Sequence, residues 1–223
     1  MLHTQGIKRA FAMPGGGKFW ALKGIDLHAE AGKLTILRGR SGSGKTTLMN
    51  ILSALDQPTE GSVIFAGQDV VRMSEARRCA LRRATIGFVF QSVALIPMMT
   101  AYENVEYALR LARQRGDRDA RVRECLHMVG LAQRMQHMPL EMSGGEQQRV
   151  AIARAIAHRP KVLFADEPTA ELDTTTGLQV MKIFQELTRN EGITIVMTTH
   201  DPGLMDIGDR IYELEDGEII HEQ

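Results

Sequence analysis

The chain has few cysteines, which separates it from several protein classes. Its only two, Cys79 and Cys125, lie far apart among 223 residues. Two widely spaced cysteines do not make the disulfide framework of a small secreted domain, nor the paired spacing of a zinc site. We therefore expect reduced, mostly buried thiols in a cytosolic protein.

The chain also lacks an excess of either charge. It has 27 basic and 27 acidic residues. A protein that binds a nucleic-acid duplex normally concentrates positive charge, because the phosphate backbone dominates that affinity. The balance therefore predicts no nucleic-acid partner.

Long apolar runs are missing too, although 43% of the residues are hydrophobic. No run approaches the roughly 20 apolar residues that a membrane span needs. The polar start, Met1 to Phe11, carries Lys8 and Arg9 with no apolar segment behind them, which is not the pattern of a signal peptide. We expect a soluble protein of one large domain or two small ones, with any membrane role supplied by another chain.

What is present is a phosphate-binding motif. The sequence contains one GxxxxGK(S/T) segment, Gly39-Arg40-Ser41-Gly42-Ser43-Gly44-Lys45-Thr46. A short apolar strand is predicted before it, and helical spacing of leucine and isoleucine follows it. This order favours a polyphosphate cradle over a solvated Gly/Ser turn, with Lys45 reaching the β- and γ-phosphates and the Thr46 hydroxyl ligating Mg²⁺.

Polar side chains follow three further predicted strands. Gln91 comes after Ile86–Phe90, Asp166 and Glu167 come after Lys161–Ala165, and His200 follows Ile193–Met197. In open α/β sheets, ligands bind outside the carboxyl ends of the strands. Gln91 and Asp166 are therefore candidate Mg²⁺ contacts, Glu167 a candidate general base and His200 a candidate γ-phosphate contact. The alternatives are that the two acids cap the next helix and that the lone histidine is structural.

The middle of the chain, residues 92–158, has helical spacing and no strand pattern. It holds several methionines, which suit either a partner surface or a core. It also contains Ser143-Gly144-Gly145-Glu146 at a predicted helix start, which is a second candidate anion site. We therefore divide one domain, 1–223, into a catalytic core, 1–91 with 159–223, and a helical insert.

Two further features have more than one interpretation. Arginines at 72, 77, 78, 82 and 83 lie on a predicted helix, where a solvated face is favoured over phosphate or lipid contact. Phe11 lies on an early strand, where its ring could stack on a nucleobase or belong to the core.

Together, these motifs and Asp173, in this order, resemble the ATP-binding cassette (ABC) proteins over essentially the whole chain. The resemblance implies an α/β fold: a P-loop NTPase core with a mixed sheet, flanking helices and an N-terminal antiparallel β subdomain, plus the inserted helical subdomain. It implies a nucleotide site of Phe11, Gly39, Arg40, Ser41, Gly42, Ser43, Gly44, Lys45, Thr46 and Thr47, completed across a head-to-tail dimer by Ser143, Gly144, Gly145, Glu146 and Asp173. Metal contacts would come from Thr46, Gln91 and Asp166, and the catalytic groups would be Glu167, His200 and Gln91.

The resemblance also implies ATP and Mg²⁺ as cofactors. It implies a homodimer that lies on the cytoplasmic side of the inner membrane, where it binds a separate integral membrane permease. Within the family, the chain resembles the group serving lipoprotein release, macrolide export and haem or antimicrobial-peptide efflux. The expected function is an ATPase subunit that powers export. An alternative is a regulatory ATPase whose membrane partner controls cell-wall hydrolases without transport. Phe11, Met142, Glu146 and Glu171 depart mildly from the usual pattern.

Overall fold

The computed structural model describes the backbone of residues 1–223 and every side chain except those of Pro202, Met205 and Asp206. Two β-sheets and six α-helices make up the fold. The strands are β1 (Leu2–Ala12), β2 (Lys18–Ile25), β3 (His28–Ala29), β4 (Leu34–Arg38), β5 (Glu60–Phe65), β6 (Gln68–Asp69), β7 (Ile86–Val89), β8 (Val162–Ala165), β9 (Thr194–Thr199), β10 (Arg210–Glu215) and β11 (Glu218–Glu222). The helices are α1 (Lys45–Leu52), α2 (Glu75–Thr85), α3 (Ala101–Leu111), α4 (Arg118–Met128), α5 (Gly144–Ile156) and α6 (Thr174–Glu191).

The larger sheet has the strand order β11-β10-β4-β9-β8-β7. Every pairing in it is parallel except that of the edge strand β11 with β10. All four residues of β8 and all six of β9 are buried, as expected for parallel strands covered on both faces. Because β4, β7, β8 and β9 run in the same direction, the segments that follow them lie at one edge of the sheet.

The smaller sheet is antiparallel, in the order β2-β1-β5-β6 with β3 also paired to β1. Its hairpin β1–β2 places Phe11 directly opposite Phe19. Leu22 and Ile25 of β2 are fully buried beside Leu48 of α1, so this sheet packs on the helix that follows the glycine-rich motif. The α/β fold class predicted from the sequence is therefore confirmed, including its antiparallel N-terminal sheet.

Between residues 92 and 158 the described secondary structure is helical. Helices α3, α4 and α5 pack through residues such as Val105, Val122 and Ile152, which are fully buried. These side chains belong to the same apolar cluster as Val89 of β7. The helical segment is thereby fixed against the large sheet.

The prediction of mostly buried thiols is wrong for Cys79, which is exposed on α2, whereas Cys125 is buried. Burial raises the pKa of the Cys125 thiol to about 11, so that thiol is protonated at neutral pH. The solvated basic face predicted for α2 is only partly right: Arg77 and Arg83 are exposed. The side chains of Arg78 and Arg82 are only 12% and 23% exposed, and both pair with Glu75. Met142 is buried, as the core alternative predicted, whereas Met98 is exposed and its use in a partner surface stays a prediction.

Candidate nucleotide site

The glycine-rich loop joins β4 to α1, and its glycines are required by the backbone path. Gly39, Gly42 and Gly44 have φ angles of +151°, +82° and +101°. A Cβ on Gly39 would lie 2.2 Å from the carbonyl oxygen of Leu214, and one on Gly44 would lie 2.8 Å from that of Ala21. Larger residues would force the loop away from β10 and β2, so this backbone path requires glycine at both positions.

The N-terminus of α1 is left open to an anion. Gly44 is the N-cap residue of α1, and no side chain forms a capping hydrogen bond there. The first helical bond runs from the Leu48 N–H to the Gly44 carbonyl, so the N–H groups of Lys45, Thr46 and Thr47 have no helical acceptor. Aligned N–H groups and the positive end of the helix dipole favour a phosphate at this position.

Lys45 is held inside the loop. Its side chain is 6% exposed, and its Nζ donates to the Gly39 carbonyl at 2.7 Å and to the Arg40 carbonyl at 3.1 Å. The Ser43 Oγ is buried without a hydrogen-bond partner among the described residues. The Lys45 ammonium is thus held inside the loop, where a bound phosphate would replace the two carbonyls as its partner.

Around this loop lies an open pocket of about 730 Å³. Predicted site residues lining it are Phe11, Arg40, Ser41, Gly42, Gly44, Lys45, Thr46, Thr47, Gln91, Glu167 and His200. Phe19 and Ala21 of β2 also line it, and the sequence interpretation missed both. The Pro14–Gly17 turn predicted the hairpin, but pairing Phe19 with Phe11 required the strand register.

The two phenylalanines form an exposed aromatic surface at the mouth of the pocket. Phe11 is 41% exposed and Phe19 is 55% exposed, so neither ring belongs to the core. The Arg9 guanidinium lies 4.6 Å from the centre of the Phe11 ring and is paired with Asp56 at 2.8 Å. This contact steadies the exposed Phe11 ring at the mouth of the pocket.

Asp166 and Glu167 are organised by one hydroxyl from the neighbouring strand. The Thr198 Oγ1 donates to Asp166 Oδ1 at 2.6 Å and accepts the Glu167 N–H at 2.8 Å. Glu167 has a φ of +43°, a backbone conformation that non-glycine residues adopt rarely and mainly at functional sites. Thr198 is not among the predicted site residues, although it directly follows the predicted strand Ile193–Met197 and lies two residues before His200.

Glu167 lies between the phosphate loop and the residue that follows β9. Its Oε2 lies 3.1 Å from His200 Nδ1, and its Oε1 lies 3.9 Å from Lys45 Nζ. The side chain is only 20% exposed, whereas that of His200 is 63% exposed. Both residues line the pocket with Gln91, so the carboxylate faces the space next to the phosphate loop.

The second glycine segment lies elsewhere. Ser143 caps α5: its Oγ accepts the Glu146 N–H at 3.2 Å, and its own N–H donates to Glu146 Oε2 at 2.9 Å. Glu146 is also paired with Arg134 at 3.1 Å. The Ser143 N–H, with help from Arg134, lowers the pKa of the Glu146 carboxyl. None of residues 143–146 is among the described residues that line the nucleotide pocket.

Asp173 is likewise placed outside the pocket lining. It caps α6, accepting the Thr176 N–H at 3.1 Å and the Thr176 hydroxyl at 2.6 Å. These bonds lower the pKa of the Asp173 carboxyl. Thr176 also touches the other glycine segment, since a Cβ on Gly145 would lie 2.3 Å from its Cγ2 atom. The beginnings of α5 and α6 therefore lie together.

This geometry agrees with the comparisons with known proteins. A protein-family model described as ABC transporter matches residues 22–170. The chain belongs to the ABC transporter family. It is therefore an ABC ATPase that binds adenine nucleotides, as the resemblance implied.

Two curated relatives and one solved structure are similar over most of this chain. The lipoprotein-releasing system ATP-binding protein LolD of Syntrophus aciditrophicus is 43% identical, with 99% of each chain covered. The macrolide export ATP-binding/permease protein MacB of Syntrophobacter fumaroxidans is 48% identical over 89% of this chain, which spans 28% of that protein. The dimeric post-hydrolysis structure of the ATP-binding cassette MJ0796 bound to ADP and Pi has a TM-score of 0.91 and 39% identity, covering 100% of this chain and 98% of that one.

Proposed function

We propose that two copies of the chain hydrolyse ATP at shared sites and thereby power a membrane export complex. The division of the site carries the proposal: one protomer joins the phosphate loop, Gln91, Glu167 and His200 in one pocket, while Ser143 to Glu146 lie outside it. The N-terminus of α5 can therefore contact a nucleotide only in the pocket of a second copy of the chain. The dimeric structure of the similar cassette bound to ADP and Pi supports this arrangement.

In each site, the open N–H groups of the loop bind the phosphates, and Lys45 neutralises the β- and γ-phosphates. Phe11 stacks on the adenine. The partner protomer contributes the start of its α5, with Ser143 and Gly145 at the γ-phosphate. Glu146 holds Ser143 through the two hydrogen bonds of the cap. Asp173 approaches the partner from the beginning of α6.

A magnesium ion fits the donors present. Thr46 and Gln91 supply neutral oxygens in the pocket, and Asp166 supplies a carboxylate held by Thr198. Mg²⁺ prefers such oxygen ligands and keeps several from water and phosphate. Among the residues whose side chains are described, no cluster of three His, Cys, Asp or Glu could hold a metal alone. When bound, the ion would offset the charge that develops on the phosphates.

Hydrolysis then depends on Glu167. Its carboxylate accepts a proton from a water whose oxygen attacks the γ-phosphorus. The bond between that phosphorus and the β–γ bridging oxygen breaks, releasing ADP and phosphate. His200, 3.1 Å from the carboxylate, orients Glu167 and contacts the γ-phosphate. Loss of the γ-phosphate removes the contact that favoured the closed dimer.

A groove between the large sheet and the helical segment suits a membrane partner. The cavity is about 450 Å³, and its apolar lining includes Phe88, Phe90, Ile96, Tyr107 and Leu111. Phe90 is 43% exposed and directly precedes Gln91 in the sequence, so motion at the nucleotide site can reach this groove. Arg82, Arg83 and Arg154 lie along it.

No helix among the described residues is long and apolar enough to cross a membrane. The proposal places the span in a permease on a separate chain, with this chain bound peripherally on the cytoplasmic side of the inner membrane. The named relatives belong to export and lipoprotein-releasing systems, one of them with ATP-binding and permease parts in one chain. These names favour export over the regulatory alternative.

The test is ATP-dependent dimerisation of Glu167→Gln, which should bind ATP and trap the closed dimer. Sedimentation velocity should show a dimer with ATP and a monomer with ADP. Adding Lys45→Ala should abolish the dimer by preventing nucleotide binding, and adding Ser143→Ala should weaken it without preventing binding. A Glu167→Gln chain that binds ATP yet stays monomeric at high concentration would contradict the proposal.

The membrane partner is tested by purifying the tagged chain from its native cell in mild detergent with an ATP analogue. A co-purifying membrane protein with an extracytoplasmic domain supports export. Co-purification of a cell-wall hydrolase with it would instead favour the regulatory function. Recovery of only ribosomes or DNA would contradict both.

A further inference from the structure

The segment that joins α3 to α4 concentrates positive charge in a chain of balanced composition. Residues 110–123 contain six arginines and two aspartates. The arginines are Arg110, Arg113, Arg115, Arg118, Arg121 and Arg123. The proposed ATPase mechanism uses none of them, so their concentration requires a separate explanation.

Half of these arginines are already neutralised by neighbours. Arg110 is paired with Glu106, Arg123 with Asp119, and Arg121 with Glu124, each at 2.8 Å. The pairs of Arg110 and Arg123 are typical of a solvated helix surface, whereas Arg121 is buried.

The other three arginines differ. Arg113, Arg115 and Arg118 are exposed, and within the part of the chain whose side chains are described they form no ion pair. They occupy six consecutive positions of sequence with one acidic residue, Asp117, whose carboxylate accepts the Ala120 N–H and caps α4. The loop therefore presents uncompensated guanidinium groups to its surroundings.

Arg115 and Arg118, but not Arg113, border a small cavity of about 240 Å³. Arg115, Arg118, Arg121 and Arg159 line it, together with Leu109, Gln114 and Asp117. Arg121 forms a rigid base: it is 8% exposed, and its Nε and Nη2 donate to the carbonyls of Ala157 and Ile156, both at 2.9 Å. Arg121 and Arg159 share the Glu124 carboxylate, at 2.8 Å and 3.6 Å, whereas Arg115 and Arg118 form no ion pair among the described side chains. The four arginines still outnumber Asp117 and Glu124 around the cavity, and this excess of guanidinium groups favours an anion of the size of a phosphate group.

The cavity lies next to the groove assigned to the membrane partner. Leu111 and Ala112 line the groove, while Leu109 and Gln114 line the cavity. The end of α3 therefore lies between the groove and the cavity, and the loop that carries Arg113 and Arg115 continues from that end to Arg118, the first residue of α4. A permease seated in the groove would bring this loop close to the leaflet in which the permease is embedded.

We infer that the loop Arg113–Arg118 binds the anionic lipid headgroups of that leaflet, with a headgroup phosphate in the cavity. The inference rests on the proposed function, because in the cell the membrane partner is what keeps this loop beside a membrane. Clustered basic residues next to a membrane bind anionic lipid, and guanidinium groups pair with phosphate oxygens in bidentate geometry. Such contacts would orient the cassette under its permease.

The experiment is flotation of the full chain with phosphatidylcholine vesicles that contain or lack 30% phosphatidylglycerol. The test variant is Arg113→Gln/Arg115→Gln/Arg118→Gln. The control is Lys161→Gln/Lys182→Gln/Arg189→Gln, which removes three exposed charges elsewhere. Unchanged ATPase activity and thermal unfolding establish that both variants are folded.

We expect the wild-type chain and the control to bind only the anionic vesicles, and less at high salt. The test variant should lose affinity by about 10- to 100-fold. Equal losses in both variants would show a mere net-charge effect and overturn the inference, as would unchanged binding by the test variant or no binding by the wild type.

Co-purification with the permease in detergent separates this inference from the proposed function. The groove is intact in the test variant, so it should retain the permease. If the wild-type chain retains a permease but binds no anionic vesicle, the inference fails and the proposed function stands. If the wild-type chain binds vesicles but retains no membrane partner, the proposed function fails. The inferred role of the lipid contact, which depends on that function, then fails with it.

Discussion

The Nδ1 atom of His200 lies 3.1 Å from the Oε2 atom of Glu167. The two residues follow different strands, β9 and β8, which lie side by side in the parallel sheet. The carboxylate proposed as general base is thereby oriented by an exposed imidazole that can also meet the γ-phosphate. This contact makes activity sensitive to a residue that contributes little to the core.

Replacing His200 with alanine should therefore lower kcat much more than it raises KM. Removing one preorganised donor at a reacting phosphate or oxyanion typically lowers kcat by about 100-fold or more. Steady-state ATP hydrolysis and fluorescent-nucleotide binding should separate the two effects. A higher KM with unchanged kcat would assign His200 to nucleotide binding instead.

Thr198→Val should weaken both stability and activity. The change keeps the side-chain shape but removes the donor to Asp166 and the acceptor for the Glu167 N–H. Leaving these groups unsatisfied should cost about 1–3 kcal/mol of unfolding free energy and lower kcat through misplaced carboxylates.

Thr194→Val is the matched control for that experiment. Thr194 is buried on the same strand, and its hydroxyl accepts the Gly32 N–H at 3.0 Å, away from the site. It should lose similar stability in urea unfolding but keep its kcat. Equal kcat in the two folded variants would show that Thr198 does not position the catalytic groups.

Phe19→Ala should raise KM for ATP and leave kcat nearly unchanged. Phe19 faces Phe11 across the hairpin and lines the nucleotide pocket, so we predict that it supports stacking on the adenine. Base–aromatic stacking contributes about 1–3 kcal/mol per base, which corresponds to roughly 5- to 150-fold in affinity. Tyr107→Ala removes a comparably exposed ring on α3, outside this pocket, and should keep the wild-type KM.

Stability should fall below about pH 6.5 because of His158. Burial lowers the pKa of this imidazole, whose Nε2 lies 3.0 Å from the Ile86 carbonyl. The unfolded chain then binds a proton more readily than the folded one, so stability is complete above the unfolded pKa and declines as the pH falls below it. His158→Gln should reduce this slope in urea unfolding between pH 7.5 and 5, and an unchanged slope would contradict this role of His158.

The sequence by itself determined the features that depend on local spacing. The GxxxxGK(S/T) segment specified the turn and the open helix start, because only that pattern of glycines permits the positive φ angles of Gly39, Gly42 and Gly44. Buried apolar runs predicted β4, β7, β8 and β9 to within a few residues, and the parallel α/β class implied that Gln91, Glu167 and His200 converge.

Only the tertiary structure decided contacts between distant segments. Phe19 meets Phe11 through strand register, and Thr198 meets Asp166 because β8 and β9 are neighbours in the sheet. Arg134 pairs with Glu146 across a stretch of irregular chain. The exposure of Cys79 also depended on how α2 packs. Residue spacing encodes which elements form, but side-chain partners depend on how those elements pack against one another.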